Sequence, residues 1–156
     1  MGLIVWMPSR FRLCLSKVPD LSVKTYLLDT NVLLSAVIAP EWLSPDVQET
    51  LSLPNNIVYF SAASIWEIAI KRSLHKSDFD FSPEDIHSLA LETGFVELTV
   101  QAEHCYALAD MPWLHRDPFD RLLIAQAQSL PAYLLTSDKV LDQYSDLVIH
   151  TVLKKS

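Results

Sequence analysis

The sequence predicts an α/β protein whose parallel sheet is covered by helices on both faces. Short apolar runs alternate with helical patterns from Thr25 onward, and strand, helix, strand, helix is the order that builds parallel sheets. The strand candidates are uninterrupted by polar residues, as strands buried on both faces require. Length agrees, because 156 residues make one ordinary domain, and with 50% of them apolar the chain can bury a core.

Tyr26-Leu27-Leu28 is the first strand candidate, followed by Asp29-Thr30-Asn31 and a helical run from Val32 to Ile38. Pro40 and Pro45 bracket a loop, and Pro45 to Leu53 reads as a second helix. Ile57 to Phe60, β-branched and aromatic, is the next strand. Ser61 suits an N-cap for a helix over Ala62 to Leu74. Ser82-Pro83-Glu84-Asp85 combines a cap, a first-turn proline and acids at the dipole's positive end; Gly94 ends that helix. Phe95 to Leu98 is a strand, Thr99 caps a helix running to about Asp110, and Pro112 closes it. Asp117-Pro118-Phe119-Asp120 opens a helix to about Ser129. Tyr133 to Thr136 is a strand, Lys139 to Tyr144 a short helix, and Leu147 to Val152 the last strand.

Composition excludes several functions. The only glycines are Gly2 and Gly94, so no glycine-rich phosphate loop, dinucleotide fingerprint or G-x-S-x-G elbow is present. Cys14 and Cys105 are far apart, which supports neither a thiolate zinc site nor a disulfide framework and makes a reducing, cytoplasmic setting the expectation. No apolar run reaches the ~18 residues of a membrane helix. Residues 1–24 hold four basic residues (Arg10, Arg12, Lys17, Lys24) and one acid (Asp20), leaving eight basic and eighteen acidic residues beyond them. That segment reads as a loose extension, as upstream sequence included by a wrong start would be, ahead of a domain over residues 25–156. The net charge of -7 argues, taken alone, against a basic nucleic-acid grip.

Acids cluster where the predicted strands end. In an open parallel sheet ligands bind off the carboxyl ends of the strands. There Leu27-Leu28 leads to Asp29, Leu134-Leu135 to Thr136-Ser137-Asp138, and Tyr59-Phe60 to Ser61 and a helix carrying Glu67; the helix opened by Asp117 and Asp120 can reach the same edge. Each acid has a plain structural excuse. Asp29, Asp117 and Asp138 can be caps, Asp120 can complement a helix dipole, and Glu67 is spaced to pair with Lys71. Crowded carboxylates are unfavourable unless protonated or bridged by a cation, and Mg²⁺ or Mn²⁺ prefers such oxygen ligands. The joint placement therefore points to metal-assisted hydrolysis.

Four stretches resemble the PIN domain family, and among its members the VapC-type toxin ribonucleases. They are Leu27-Leu28-Asp29-Thr30-Asn31-Val32-Leu33-Leu34, Ser61 to Lys71 with its W-E-I-A-I-K core, His115 to Ala127, and Leu135-Thr136-Ser137-Asp138. Order and spacing match over residues 25 to about 150. The resemblance implies an α/β/α sandwich with a central parallel sheet and an acidic Mg²⁺ site. It implies Asp29, Glu67, Asp120 and Asp138 as catalytic metal ligands, Asp117 as an additional acid, and Asn31, Ser64, Thr136 and Ser137 as supporting polar residues. It further implies an RNA substrate, a cognate antitoxin and a homodimer. The readings weighed beside the toxin are a PIN-type RNA-processing or flap nuclease and a non-catalytic binding domain.

Arg116, Arg121 and Lys139 stand beside the acidic motifs as candidate phosphate contacts. The histidines form no zinc spacing, and His115 in a loop is expected to be exposed. His104 and Cys105 face different ways on a helix and make an improbable nucleophile pair. Trp42, Trp66 and Trp113 are expected in the core or an interface rather than stacking bases. The apolar positions around Trp42 and the second helix are the expected docking region for an antitoxin. A chain lacking residues 1–22 is expected to fold; circular dichroism showing an unfolded truncation would refute the extension.

Overall fold

The computed structural model describes residues 22–75 and 79–154. The strands are β1 (Thr25–Leu28), β2 (Ile57–Ser61), β3 (Val96–Leu98), β4 (Tyr133–Thr136) and β5 (Val148–His150). The helices are α1 (Thr30–Ile38), α2 (Pro45–Ser52), α3 (Ala62–Ser73), α4 (Pro83–Glu92), α5 (Ala102–Ala109) and α6 (Pro118–Ser129). Short 3₁₀ turns occupy Pro40–Trp42 and Lys139–Gln143. The expected extension, residues 1–24, lies outside the described residues except for its last three.

All strand pairs are parallel, in the order β3-β2-β1-β4-β5. The central strand β1 aligns Tyr26 with Val58 on one side and Leu27 with Leu134 on the other. Strand order runs outward from β1 in both directions, so the chain reverses its sense of winding at the β1–β4 boundary. Crevices form at the carboxyl edge of such a boundary.

Alternation along the strands feeds two cores, one on each sheet face. Tyr26, Leu28, Val58, Phe60 and Leu135 pack with Val32 and Leu33 of α1, Ile68 of α3, and Ile86 and Ala90 of α4. On the other face Leu27 and Leu134 pack with Leu123, Ile124 and Ala127 of α6, with Met111 and Leu141. Continuous apolar strands are thus explained: both sides of β1 are buried, giving the expected α/β/α sandwich.

Most helix starts are capped as the sequence predicts. Ser61, Ser82 and Asp117 accept backbone N–H groups at the starts of α3, α4 and α6, and Ser44, not anticipated as a cap, does the same for α2. Gly94, at φ +93°, provides the left-handed turn after α4. Three boundaries differ. Helix α1 begins at Thr30, two residues early, because Asp29 is its cap. Thr99 caps nothing. Helix α5 starts at Ala102, where His104 Nδ1 accepts the Gln101 N–H at 3.0 Å, and the Thr99 carbonyl accepts from Gln126 Nε2 at 3.2 Å instead. Strand β5 is shorter than Leu147 to Val152, since it pairs only with Leu134–Thr136 of β4. His104 is buried and Cys105 exposed, as their adjacent helical positions require.

Phe60 is fully buried in the core that joins β2 to α4. Phe60→Ala should lower unfolding free energy by about 3–5 kcal/mol, the usual cost of an aromatic-sized cavity. The check is a urea titration followed by circular dichroism.

Candidate active site

Asp29 sits directly after β1 and is only 3% exposed. Its Oδ1 accepts the Val32 N–H at 2.7 Å, which starts α1. Its Oδ2 accepts the Thr136 hydroxyl at 2.6 Å and the Ser137 N–H at 2.9 Å, both from the end of β4. The Asp29 N–H donates to the Leu135 carbonyl. A carboxylate offers about four lone-pair sites. Three are taken here, so one direction remains for a ligand while the other three fix the group. Burial raises the Asp29 carboxyl above its ordinary range; the three donors oppose that shift and the nearby Glu67 charge adds to it.

Glu67 lies on the inner face of α3 and is buried although it follows the exposed Trp66. Thr30 Oγ1 donates to Glu67 Oε2 and lies 3.1 Å from Ser64 Oγ. Lys71, one turn on, pairs with Glu67 Oε1 at 2.6 Å. The i, i+4 pairing anticipated for an exposed helix surface exists, but its acid faces inward beside Asp29.

Asp120 and Asp138 meet through a histidine. His115 Nε2 stands 2.8 Å from Asp120 Oδ2 and 3.5 Å from Asp138 Oδ2. One ligand atom from each of these three residues lies within 4.8 Å of the other two. Burial raises the Asp120 carboxyl to about 6; the neighbouring Asp117 and Asp29 charges also raise it, and His115 opposes them. Asp138 Oδ1 accepts the Val140 N–H at 2.9 Å and its own N–H donates to Thr136 Oγ1 at 3.0 Å, leaving Oδ2 toward the crevice. Asp117 is a cap: its Oδ1 accepts the Phe119 and Asp120 N–H groups at 2.8 and 3.4 Å.

His115 is the residue that sequence spacing passed over. The loop holding it is pinned, because Tyr144 Oη accepts both the Leu114 and the His115 N–H at 3.0 and 2.8 Å. Its position just before Asp117-Pro118 was the one available signal. Of the residues expected to support the acids, Thr136 bonds Asp29, Ser64 adjoins Thr30, and Asn31 Nδ2 stands 3.5 Å from Ser137 Oγ.

Among the three basic residues expected to meet phosphate, Arg116 and Lys139 are exposed. Arg121 is buried. Its guanidinium donates to the Leu108, Met111 and Pro112 carbonyls and to Tyr144 Oη, so it braces the loop between α5 and α6. Burial of the tryptophans also fails in the single chain. Trp66 and Trp113 are 61% and 79% exposed, and Trp42 is half-buried. Trp66 rests edge-on against Phe119, and Trp113 lies over Arg121, so each is held by a partner without being covered.

Asp120, Asp138 and His115 thus form one cluster, and Asp29, itself close to Glu67, is near enough for its charge to act on Asp120. This donor set fits a hard divalent cation, which prefers carboxylate oxygens and would favour their ionised form. Asp29, Glu67, Asp120 and Asp138 would hold such an ion.

A parallel α/β domain with an acidic crevice at the topological switch point is the class these features define. The model of the PIN domain matches residues 26–147, and the chain belongs to that family. Among solved structures it is similar to VapBC2 from Rickettsia felis bound to a DNA fragment from their promoter, at 19% identity and a TM-score of 0.60, covering 81% of this chain and 98% of that one. It is similar to VapBC-1 from nontypeable Haemophilus influenzae at 19% identity and a TM-score of 0.56, covering 81% and 97%. These likenesses extend over the sandwich fold. No curated protein matches the sequence.

Raising the Asp120 carboxyl from 3.8 to about 6 costs its ionised form roughly 3 kcal/mol. The folded pKa lies above the unfolded one, so without metal this residue's penalty is absent below about pH 4 and complete above about pH 6. Metal-free Asp120→Asn should therefore melt close to wild type at pH 4 and above it at pH 7. Added Mg²⁺ should raise the wild-type Tm more than the variant's. Differential scanning fluorimetry across pH, with and without Mg²⁺, checks both.

Proposed function

We propose that the chain is a Mg²⁺- or Mn²⁺-dependent endoribonuclease acting in the cytoplasm as the toxin of a toxin–antitoxin pair. The observation that supports this reading is the cluster of Asp120, Asp138 and His115, with the Asp29 charge acting on Asp120 and that of Glu67 on Asp29. Membership of the PIN domain family and likeness to two VapBC structures support it. An antitoxin chain and a second copy of the protein are the proposed partners. No helix among the described residues is long and apolar enough to cross a membrane.

The residues divide the work. Asp29 is held by donors from α1 and β4, so its free lone pair keeps one direction. Thr30 and Lys71 hold Glu67 from both oxygens, which fixes its side-chain rotamer. His115 Nε2 donates to Asp120 Oδ2, keeping that carboxylate turned into the crevice. A divalent ion bound there supplies charge neutralisation at the phosphodiester and activates the attacking water. Fixed ligands matter because a loosely held site loses rate steeply with small displacements.

Glu67→Gln is the cleanest test. The amide oxygen still accepts from Thr30, and Lys71 can turn to solvent. Asp29→Asn also removes a ligand, but turns an amide N–H₂ toward donors now on Asp29, costing about 1–2 kcal/mol of stability. Both variants should lose RNA cleavage by roughly a hundredfold or more, comparable with losing one preorganised electrostatic group. EDTA should abolish cleavage reversibly. Expression of wild type against Glu67→Gln, with growth followed and transcript ends mapped, is the experiment. Undiminished cleavage by Glu67→Gln refutes the site; cleavage without growth arrest favours RNA processing over a toxin role.

A further inference from the structure

We propose that the hollow bounded by Trp113 and Arg116 is a nucleotide subsite, where an unpaired RNA base stacks on Trp113 and its phosphate pairs with Arg116. This rests on the ribonuclease reading and extends it to how substrate is seated.

Trp113 has the greatest exposure among the described large hydrophobic residues, at 79%. Such a ring in water would ordinarily be free to swing. Here the Arg121 guanidinium lies 4.0 Å from the ring centroid. Arg121 is itself immobilised by three backbone carbonyls and Tyr144 Oη. One face of the indole is thus held on a fixed cation while the residue as a whole stays 79% exposed. A preordered aromatic face loses little entropy on binding. Stacking on such a face does not depend on base identity, because every base has a π-face.

A hollow of about 190 Å³ adjoins the ring, lined by Leu108, Trp113, Arg116, Pro118 and Arg121. In a chain of net charge -7, both charged residues lining it are arginines. Arg121 is fully engaged by the protein, whereas Arg116 is exposed beside the ring. An aromatic face with one exposed guanidinium matches a nucleotide: base to the ring, phosphate to the fork. Position agrees as well. Trp113 precedes His115 by two residues, a chain reach of about 7 Å at most. His115 Nε2 contacts Asp120 and Asp138. A base seated here would therefore lie at the rim of the acidic crevice.

The test uses the full chain carrying Glu67→Gln, so that RNA is bound and not cut. The probe is a labelled single-stranded RNA of about eight nucleotides, within the usual site sizes of single-strand binders. Affinity is read by fluorescence anisotropy in Mg²⁺, and stacking by quenching of a 2-aminopurine base in the same RNA. Trp113→Ala should weaken binding about tenfold and relieve the quench, and Trp113→Phe should restore part of both. Arg116→Ala, at an exposed position, should weaken binding and lower the salt slope by about one. Light scattering should show the same assembly state for every variant. Unchanged affinity and quench in Trp113→Ala overturns the subsite while leaving the nuclease reading standing. A change of assembly state without loss of RNA affinity overturns it in favour of a protein interface. If the parent chain binds no RNA and wild type cleaves none, the nuclease reading falls and the subsite with it.

Discussion

The burial of a carboxylate at the end of the central strand organises the rest of this molecule. Asp29 is the pivot. It ends the central strand, caps the first helix and accepts two donors from the end of β4. Removing a carboxylate from water is costly, and each of those donors lowers the cost. The same bonds join β1, α1 and the β4 turn, so the electrostatic problem and the local architecture share one solution. The donors do not cancel the effect of burial, which still raises the carboxyls of Asp29 and Asp120.

That arrangement depends on the two-faced core. Because β1 is buried on both faces, polar groups adjoin it at its ends, and Asp29 stands at the carboxyl one. The strand order puts β2 and β4 on either side of it, and their following segments deliver Glu67 and Asp138 to the same edge. Asp120 arrives differently, on the third residue of α6, whose apolar face packs beneath the opposite side of the sheet. Apolar packing therefore sets the distances between acids that would otherwise move apart. Thr30, Lys71 and His115 then set their orientations.

Strand and helix content was legible because buried parallel strands and capped helices leave strong local patterns. The caps at Ser61, Ser82 and Asp117 were readable from single residues, as each needs only its own neighbours. The convergence of acids could be read from topology, since strand ends in a parallel sheet share an edge. Long-range partnerships could not. Nothing local in His115 indicates that a tyrosine 29 residues later pins its loop against Asp120. Arg121 looked like a surface cation because arginines are mostly exposed. Its burial depends on carbonyls released where α5 ends and the chain turns toward α6. Thr99 resembled a cap by residue type, while the winning acceptor was His104, a residue with no general capping preference.

Charge shows the same gap between count and placement. A net charge of -7 argues against a basic nucleic-acid grip only if the charges are spread evenly. They are not: Asp120 and Asp138 cluster with His115, Asp29 lies near enough to act on Asp120, and Arg116 and Arg121 border a separate hollow. Two ions of charge +2 would neutralise Asp29, Glu67, Asp120 and Asp138, after which the arginines would dominate the local field. Arg121 contributes to that field from inside the protein, through the ring it supports, and Arg116 from the surface. Under the proposed function, RNA association on this surface would depend on local placement and metal occupancy rather than on net charge. The shallow salt dependence expected of few phosphate contacts is consistent with a substrate that must also be released.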